Sequence, residues 1–181
     1  MSHHQRILKI CVKTFFLNTV SNITPIPVGV GDRECVAEFN YVPSVAGCSF
    51  ISTTGVREGI QEQVRIVTVD SVVSEKGISR VDFIKLDVEG AERPALIGSL
   101  DTLKRFRPVM IMEFNPVPIK RFYGENPYDL YVSLNEIYPN IYLIQDKSFD
   151  FIKITSYEML ESLVAKGKGW EDLLCTTGVA P

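Results

Sequence analysis

Two short apolar runs each end in a carboxylate: Ile84-Lys85-Leu86 leads into Asp87, and Met110-Ile111-Met112 leads into Glu113. If these runs are neighbouring parallel strands, both acids stand on one edge of a sheet and could face a single ligand. Glu89 and Glu92 follow beside the start of a helical segment. Exposed backbone N–H groups there favour negative charge by a few tenths to ~1 kcal/mol. A plainer reading therefore stays open, in which Asp87 or Glu89 only caps the helix and Gly90 only makes the turn. Lys85 is harder to explain that way. Inside an apolar stretch it must reach water or meet a carboxylate, because an unpaired buried ammonium is very costly. Glu113 or Asp87 is its natural partner.

The elements around these residues decide whether they can meet. Val81 to Leu86 reads as a strand and 91–105 as a helix, with Pro94 near the first turn, where proline is tolerated. Val109 to Phe114 is a second strand after Pro108. Such a strand–helix–strand unit has a right-handed crossover and parallel strands. Upstream, Ile7, Leu8, Ile10, Cys11, Phe15 and Phe16 recur at helical spacing and predict a helix over 5–19. Ile23 to Val28 reads as an edge strand, since Pro25 and Pro27 cannot donate to a ladder. Gly29 to Asp32 makes a turn before a strand at 34–40, and 41–61 reads as a long irregular loop, a kind of segment that is often functional. Val64 to Val69 alternates like a strand, and Asp70 is placed to cap a helix over 71–76.

Downstream, Asn126-Pro127 opens a helix to about Tyr138, and 141–145 with 151–154 form an antiparallel hairpin. Between them, 115–130 holds Pro116, Pro118, Phe122, Tyr123 and Tyr128, which fit a lid or pocket wall as well as plain surface packing. Ser156 caps a last helix to about Lys166, and the tail adds one turn around Trp170. This alternation gives an α/β fold: an open, mostly parallel sheet covered by helices, with ligands outside the carboxyl ends of the strands.

Composition narrows the chemistry further. The 181 residues, 45% hydrophobic and 23% charged, describe an ordinary single globular domain that needs no disulfide or metal staple. His3 and His4 are the only histidines, so acid–base work falls to carboxylates, lysines or hydroxyls. Cys11, Cys35, Cys48 and Cys175 form no CxxC pair, which argues against zinc and for a reducing, cytoplasmic setting. A net charge of −3 without a basic stripe argues against nucleic acid. No apolar run approaches the ~20 residues that cross a bilayer, and no signal-peptide core opens the chain. The sequon at Asn22-Ile23-Thr24 is read as a chance match.

The run Val81-Asp-Phe-Ile-Lys-Leu-Asp-Val-Glu-Gly-Ala-Glu92, then Leu96-Ile-Gly98, Leu103, Pro108 and a strand closing on Glu113, resembles the signature of FkbM-type S-adenosylmethionine-dependent methyltransferases. Thr68-Val-Asp70 and Val28-Gly-Val-Gly-Asp32 extend the resemblance to roughly 18–145. It implies a Rossmann-like class I methyltransferase sheet, mostly parallel, with a C-terminal antiparallel hairpin. The implied activity is methyl transfer from S-adenosylmethionine to a hydroxyl of a sugar or small natural product. Asp87, Lys85 and Glu113 would be the catalytic group, and Asp32, Asp87, Glu89 and Gly90 would bind the cofactor, Asp32 on the adenine side. A divalent ion on oxygen ligands, magnesium or manganese, is compatible with this set but not required.

Two segments of the family pattern have no counterpart: the first strand with its glycine-rich loop, and the second strand, whose acidic end holds the ribose. Both lie between the third and fourth strands, so the resemblance implies a single partial domain over 1–181 with a gap in its sheet. A preceding segment or a second chain would complete it, or catalysis would be lost. Two other functions stay in view. A metal-dependent glycosyltransferase would use Asp87 and Glu89 as its acidic pair, and a non-catalytic binding module would keep only the scaffold.

Overall fold

The computed structural model describes residues 18, 20–43, 49–145 and 150–178. The helix expected over 5–19 lies outside these residues but for Asn18, as do His3, His4, Cys11 and Cys48.

Two sheets form. The first contains β1 (Gly29–Val30), β2 (Cys35–Tyr41), β3 (Phe50–Ile51) and β4 (Ile60–Val67), in the order β1-β4-β2-β3. Helix α1 (Val69–Glu75) leads to β5 (Phe83–Leu86), followed by α2 (Glu92–Ile97), α3 (Leu100–Phe106), β6 (Val109–Phe114), α4 (Pro116–Tyr123) and α5 (Pro127–Ile137). The chain closes with β7 (Asn140–Ile144), β8 (Phe151–Lys153), α6 (Tyr157–Lys166) and β9 (Glu171–Thr176). The second sheet runs β5-β6-β9-β7-β8. None of the described helices is long and apolar enough to cross a membrane.

The α/β class holds, but a mostly parallel sheet does not describe these residues. Only β1 with β4 and β5 with β6 pair in parallel; the other five pairings are antiparallel. The reason lies in two returns that the sequence reading missed. Residues 50–51, inside the expected 41–61 loop, pair with β2, and β4 begins at Ile60 rather than Val64. At the other end the chain turns at 167–168, just before Trp170, but does not stop there. It enters the second sheet as β9, between β6 and β7. The hairpin of β7 and β8 forms as expected.

Smaller corrections have local causes. Residues 23–28 do not pair, and the ladder starts only at Gly29, beyond the two prolines that cannot donate to it. Thr68, not Asp70, caps α1, its Oγ1 accepting from Ser71 N at 3.0 Å. The helix expected over 91–105 is broken at Gly98-Ser99 into α2 and α3. Asn126 and Ser156 cap α5 and α6 as their sequence positions suggest.

The core gathers on the second sheet. Along β6 the pattern of two puts Met110, Met112 and Phe114 inside, each at most 1% exposed. Leu130, Leu134 and Tyr138 of the α5 region, Leu160 of α6, and Leu173 and Cys175 of β9 complete the same cluster. Complete burial of side chains of this size stabilises by roughly 1.5–3 kcal/mol each before entropy is counted. This packing fixes β5 against β6 in the register Lys85 to Ile111 and Leu86 to Met112. Asp87 therefore emerges beside Glu113.

Candidate active site

One carboxylate oxygen from each of Asp87, Glu89 and Glu113 lies within 4.8 Å of the others. Asp87 leaves the end of β5, and Glu113 lies near the end of β6. Glu89 arrives by a different route. It occupies a left-handed backbone conformation (φ 52°), and Gly90 follows at φ 100°. A side chain on Gly90 would meet the main chain of Pro118 at 2.8 Å, so glycine is required where the turn passes the first residues of α4.

Glu92 holds this turn from inside. It is fully buried, and its Oε1 accepts from the backbone N–H groups of Val88 (3.2 Å) and Gly90 (3.3 Å). Sequence reasoning placed Glu92 only as a favourable charge at a helix start. Its place on the inner side of the turn carried no signal in the sequence.

Lys85 is paired with Asp87, as the sequence suggested, and more closely with Asp172, which it did not. Its Nζ lies 2.7 Å from Asp172 Oδ1 and 3.8 Å from Asp87 Oδ2. Asp172 stands on β9, directly opposite Glu113 in the antiparallel register. The missed strand therefore also hid the residue that holds Lys85. Asp32 is not brought to this cluster: it follows β1 in the other sheet, exposed, with Arg33 3.5 Å away. Gly29 and Gly31 are small for packing reasons, since a side chain on either would run into Ile66.

Crowding of carboxylates sets the electrostatics. Burial, then the charges of Glu113, Asp87 and Glu92, push the Glu89 carboxyl up to about 7. Burial and the charge of Asp87 raise Glu113, against a lowering contribution from Asn115. Burial raises Glu92, opposed by its backbone donors. Glu113 Oε2 is buried with no hydrogen-bond partner. Asp87, Glu113 and Asp172 thus share the Lys85 ammonium with Glu89 beside them, and the surplus negative charge favours a cationic group. The sulfonium and ammonium of a methionine-derived donor fit that description, and so does a divalent ion on three carboxylate oxygens.

Beside the cluster, Glu89 also lines a cavity of about 260 Å³, together with Glu58, Asn115, Pro118, Arg121 and Phe122. Glu58 and Arg121 lie in the two segments that the sequence marked as loop and lid, but neither residue was singled out.

The family model of the methyltransferase FkbM domain matches residues 4–154. The chain belongs to the FkbM methyltransferase family. No curated protein and no solved structure matches it with significance. Within this FkbM domain the matched span holds Lys85, Asp87, Glu89, Gly90, Glu92 and Glu113. Strand β9 with Asp172 lies beyond it.

Proposed function

We propose that this FkbM-family chain transfers a methyl group from S-adenosylmethionine to a hydroxyl of a saccharide or small natural product. The observation that carries this reading is the convergence of Asp87, Glu89 and Glu113 at the carboxyl edge of the parallel β5–β6 pair. S-adenosylmethionine supplies the methyl group. Asp87 and Glu113 would hold its cationic end, and the buried, unpaired Glu113 Oε2 is suited to receive a donor. The remaining tasks are to align the acceptor oxygen and take its proton, and a carboxylate poised near neutrality, as Glu89 is, suits the second. Lys85, tied to Asp172 and Asp87, limits the mutual repulsion of the acids.

On the same reading, the two sheets are flanks of one class I methyltransferase sheet. Parallel pairs at β1–β4 and β5–β6 support this, and among the described residues β1 and β5 each have a single strand partner. A further segment or a second chain would supply the strands between them. The free thiols of Cys35 and Cys175 suit a cytoplasmic setting.

Titration calorimetry with S-adenosylmethionine tests the proposal, with a sugar nucleotide plus manganese as the contrasting ligand. Binding with a Kd of about 1 mM or tighter, near −4 kcal/mol, is expected for the first alone. Asp87→Ala should weaken it at least tenfold without lowering the melting temperature. Binding of the sugar nucleotide instead would favour a glycosyltransferase, to which the three-carboxylate cluster is also suited. Binding of neither would leave a non-catalytic module.

A further inference from the structure

Helix α4 and the segment before β4 are locked to each other. Thr53 N and Thr54 N both donate to Phe122 O, at 2.8 and 3.2 Å, and Thr54 Oγ1 donates to Arg121 O at 2.7 Å. The rings of Phe50 and Phe122 stack at 3.6 Å, nearly parallel. Arg121 reaches back across the seam to form an ion pair with Glu58. Beside these ties lies the cavity of about 260 Å³ that has Glu89 in its wall. A half-exposed ion pair contributes little to stability, roughly 0–1 kcal/mol, so the fold gains little by keeping Glu58 and Arg121 here.

We propose that this cavity is the acceptor subsite, and that the Arg121–Glu58 pair selects a single neutral ring bearing hydroxyls. The inference rests on the methyl-transfer reading and adds the place and chemistry of the acceptor. Size points to one ring: pockets for drug-sized ligands run from about 300 to 1,000 Å³, and this one falls just below that range. Charge points to a neutral one. Glu58 and Glu89 outnumber Arg121 in the wall, and Asp87 and Glu113 stand next to Glu89, so a carboxylate or phosphate on the acceptor would be repelled. Polarity points to hydroxyls. A wholly apolar ring would strip water from the polar atoms of Glu58, Arg121 and Asn115 that the Arg121–Glu58 pair and the Val117 N–H to Asn115 bond leave over, and each such atom left without a partner costs about 1–3 kcal/mol. Pro118 and Phe122 offer the apolar surface that the C–H face of a sugar ring can cover.

Saturation-transfer NMR on the full chain tests this, with methyl α-glucopyranoside and methyl α-mannopyranoside as neutral probes and glucuronate as the anionic one. At least one neutral glycoside should bind and glucuronate should not. Val117→Trp, a change at an exposed residue of the cavity wall, should abolish that binding and leave the affinity for S-adenosylmethionine unchanged. Arg121→Gln should weaken glycoside binding at least fivefold, and a thermal melt of each variant separates a lost site from a lost fold. The inference is overturned if neither glycoside binds, if glucuronate binds equally well, or if Val117→Trp changes nothing. Intact S-adenosylmethionine binding with no glycoside binding would sink the subsite alone. Loss of cofactor binding in the unaltered chain would sink the methyl-transfer reading instead.

Discussion

A fully buried glutamate is an unusual choice, and at Glu92 the reason is the turn it holds. Its Oε1 satisfies two backbone donors on a segment with successive positive φ angles, while its Oε2 is buried without a partner. Burial raises its carboxyl, and the backbone donors oppose that shift. Glu92→Gln should therefore stay within about 1 kcal/mol of the parent in urea unfolding, because the accepting oxygen is kept. Glu92→Leu leaves two backbone donors unpaired and should cost about 2–5 kcal/mol by the same measurement. Equal stability of the two variants would mean that the turn stands without Glu92. The neighbouring carboxylates set a pH dependence. Glu89 in the folded chain holds its proton up to about 7, against a reference value of 4.5. The folded state thus binds more protons than the unfolded one between these values, and stability falls as pH rises through this window. Melting temperatures taken across it should decline, and Glu89→Gln should flatten the decline; a parent whose melting temperature rises with pH contradicts the assignment. The carboxylates at 87 and 113 were legible because they sit at strand ends, and Glu89 because it stands beside the helix start that follows. Glu92 and Asp172 were not, since their roles depend on which side of a turn faces inward and on a strand that local pattern did not reveal.

Between the two halves of the chain, the joint is built by Asp70 and Gly98. Asp70 accepts from Asp101 N (3.1 Å), Thr102 N (2.8 Å) and Thr102 Oγ1 (2.6 Å), so it serves the first turn of α3 instead of its own helix. Its backbone N–H donates to Gly98 O at 3.0 Å. Gly98 is where the expected continuous helix breaks, and a side chain there would lie 2.0 Å from Gly31 O. In an ordinary helix, replacing glycine by alanine gains roughly 0.5–1 kcal/mol. Here the backbone contact reverses the sign, and Gly98→Ala should destabilise by about 1–3 kcal/mol in urea unfolding. A stabilised variant would show that α2 can shift away from β1. Helical periodicity over 91–105 does not reveal the break, because the groups packed against it, Gly31 O and Asp70, are distant in sequence. The strand–helix–strand order, by contrast, follows from local pattern alone, and β5 and β6 lie side by side in parallel as that order requires.

The molecule closes on itself through its last strand. β9 divides the second sheet, with β6 on one side and β7 on the other, and its Leu173 and Cys175 are fully buried. In the sequence this segment is only a short apolar stretch after Trp170. Leu173 to Thr176 are buried on both faces of the sheet, and a strand covered on both faces needs no alternating pattern, so periodicity does not identify it. Removal of 171–181 would separate β5–β6 from β7–β8, expose the buried faces of Met112 and Leu143, and take Asp172 from Lys85. Single large-to-small changes in a core already cost about 2–5 kcal/mol, and a domain's whole stability is about 5–15 kcal/mol. The shortened chain should therefore show no cooperative thermal transition by circular dichroism. Asp172→Asn should melt within a few degrees of the parent, since it alters one partly exposed ion pair and leaves the strand in place. If the shortened chain still folds cooperatively, β6 and β7 must be able to pair directly. The site would then owe its geometry to the β5–β6 pair alone, without the strand that carries Asp172.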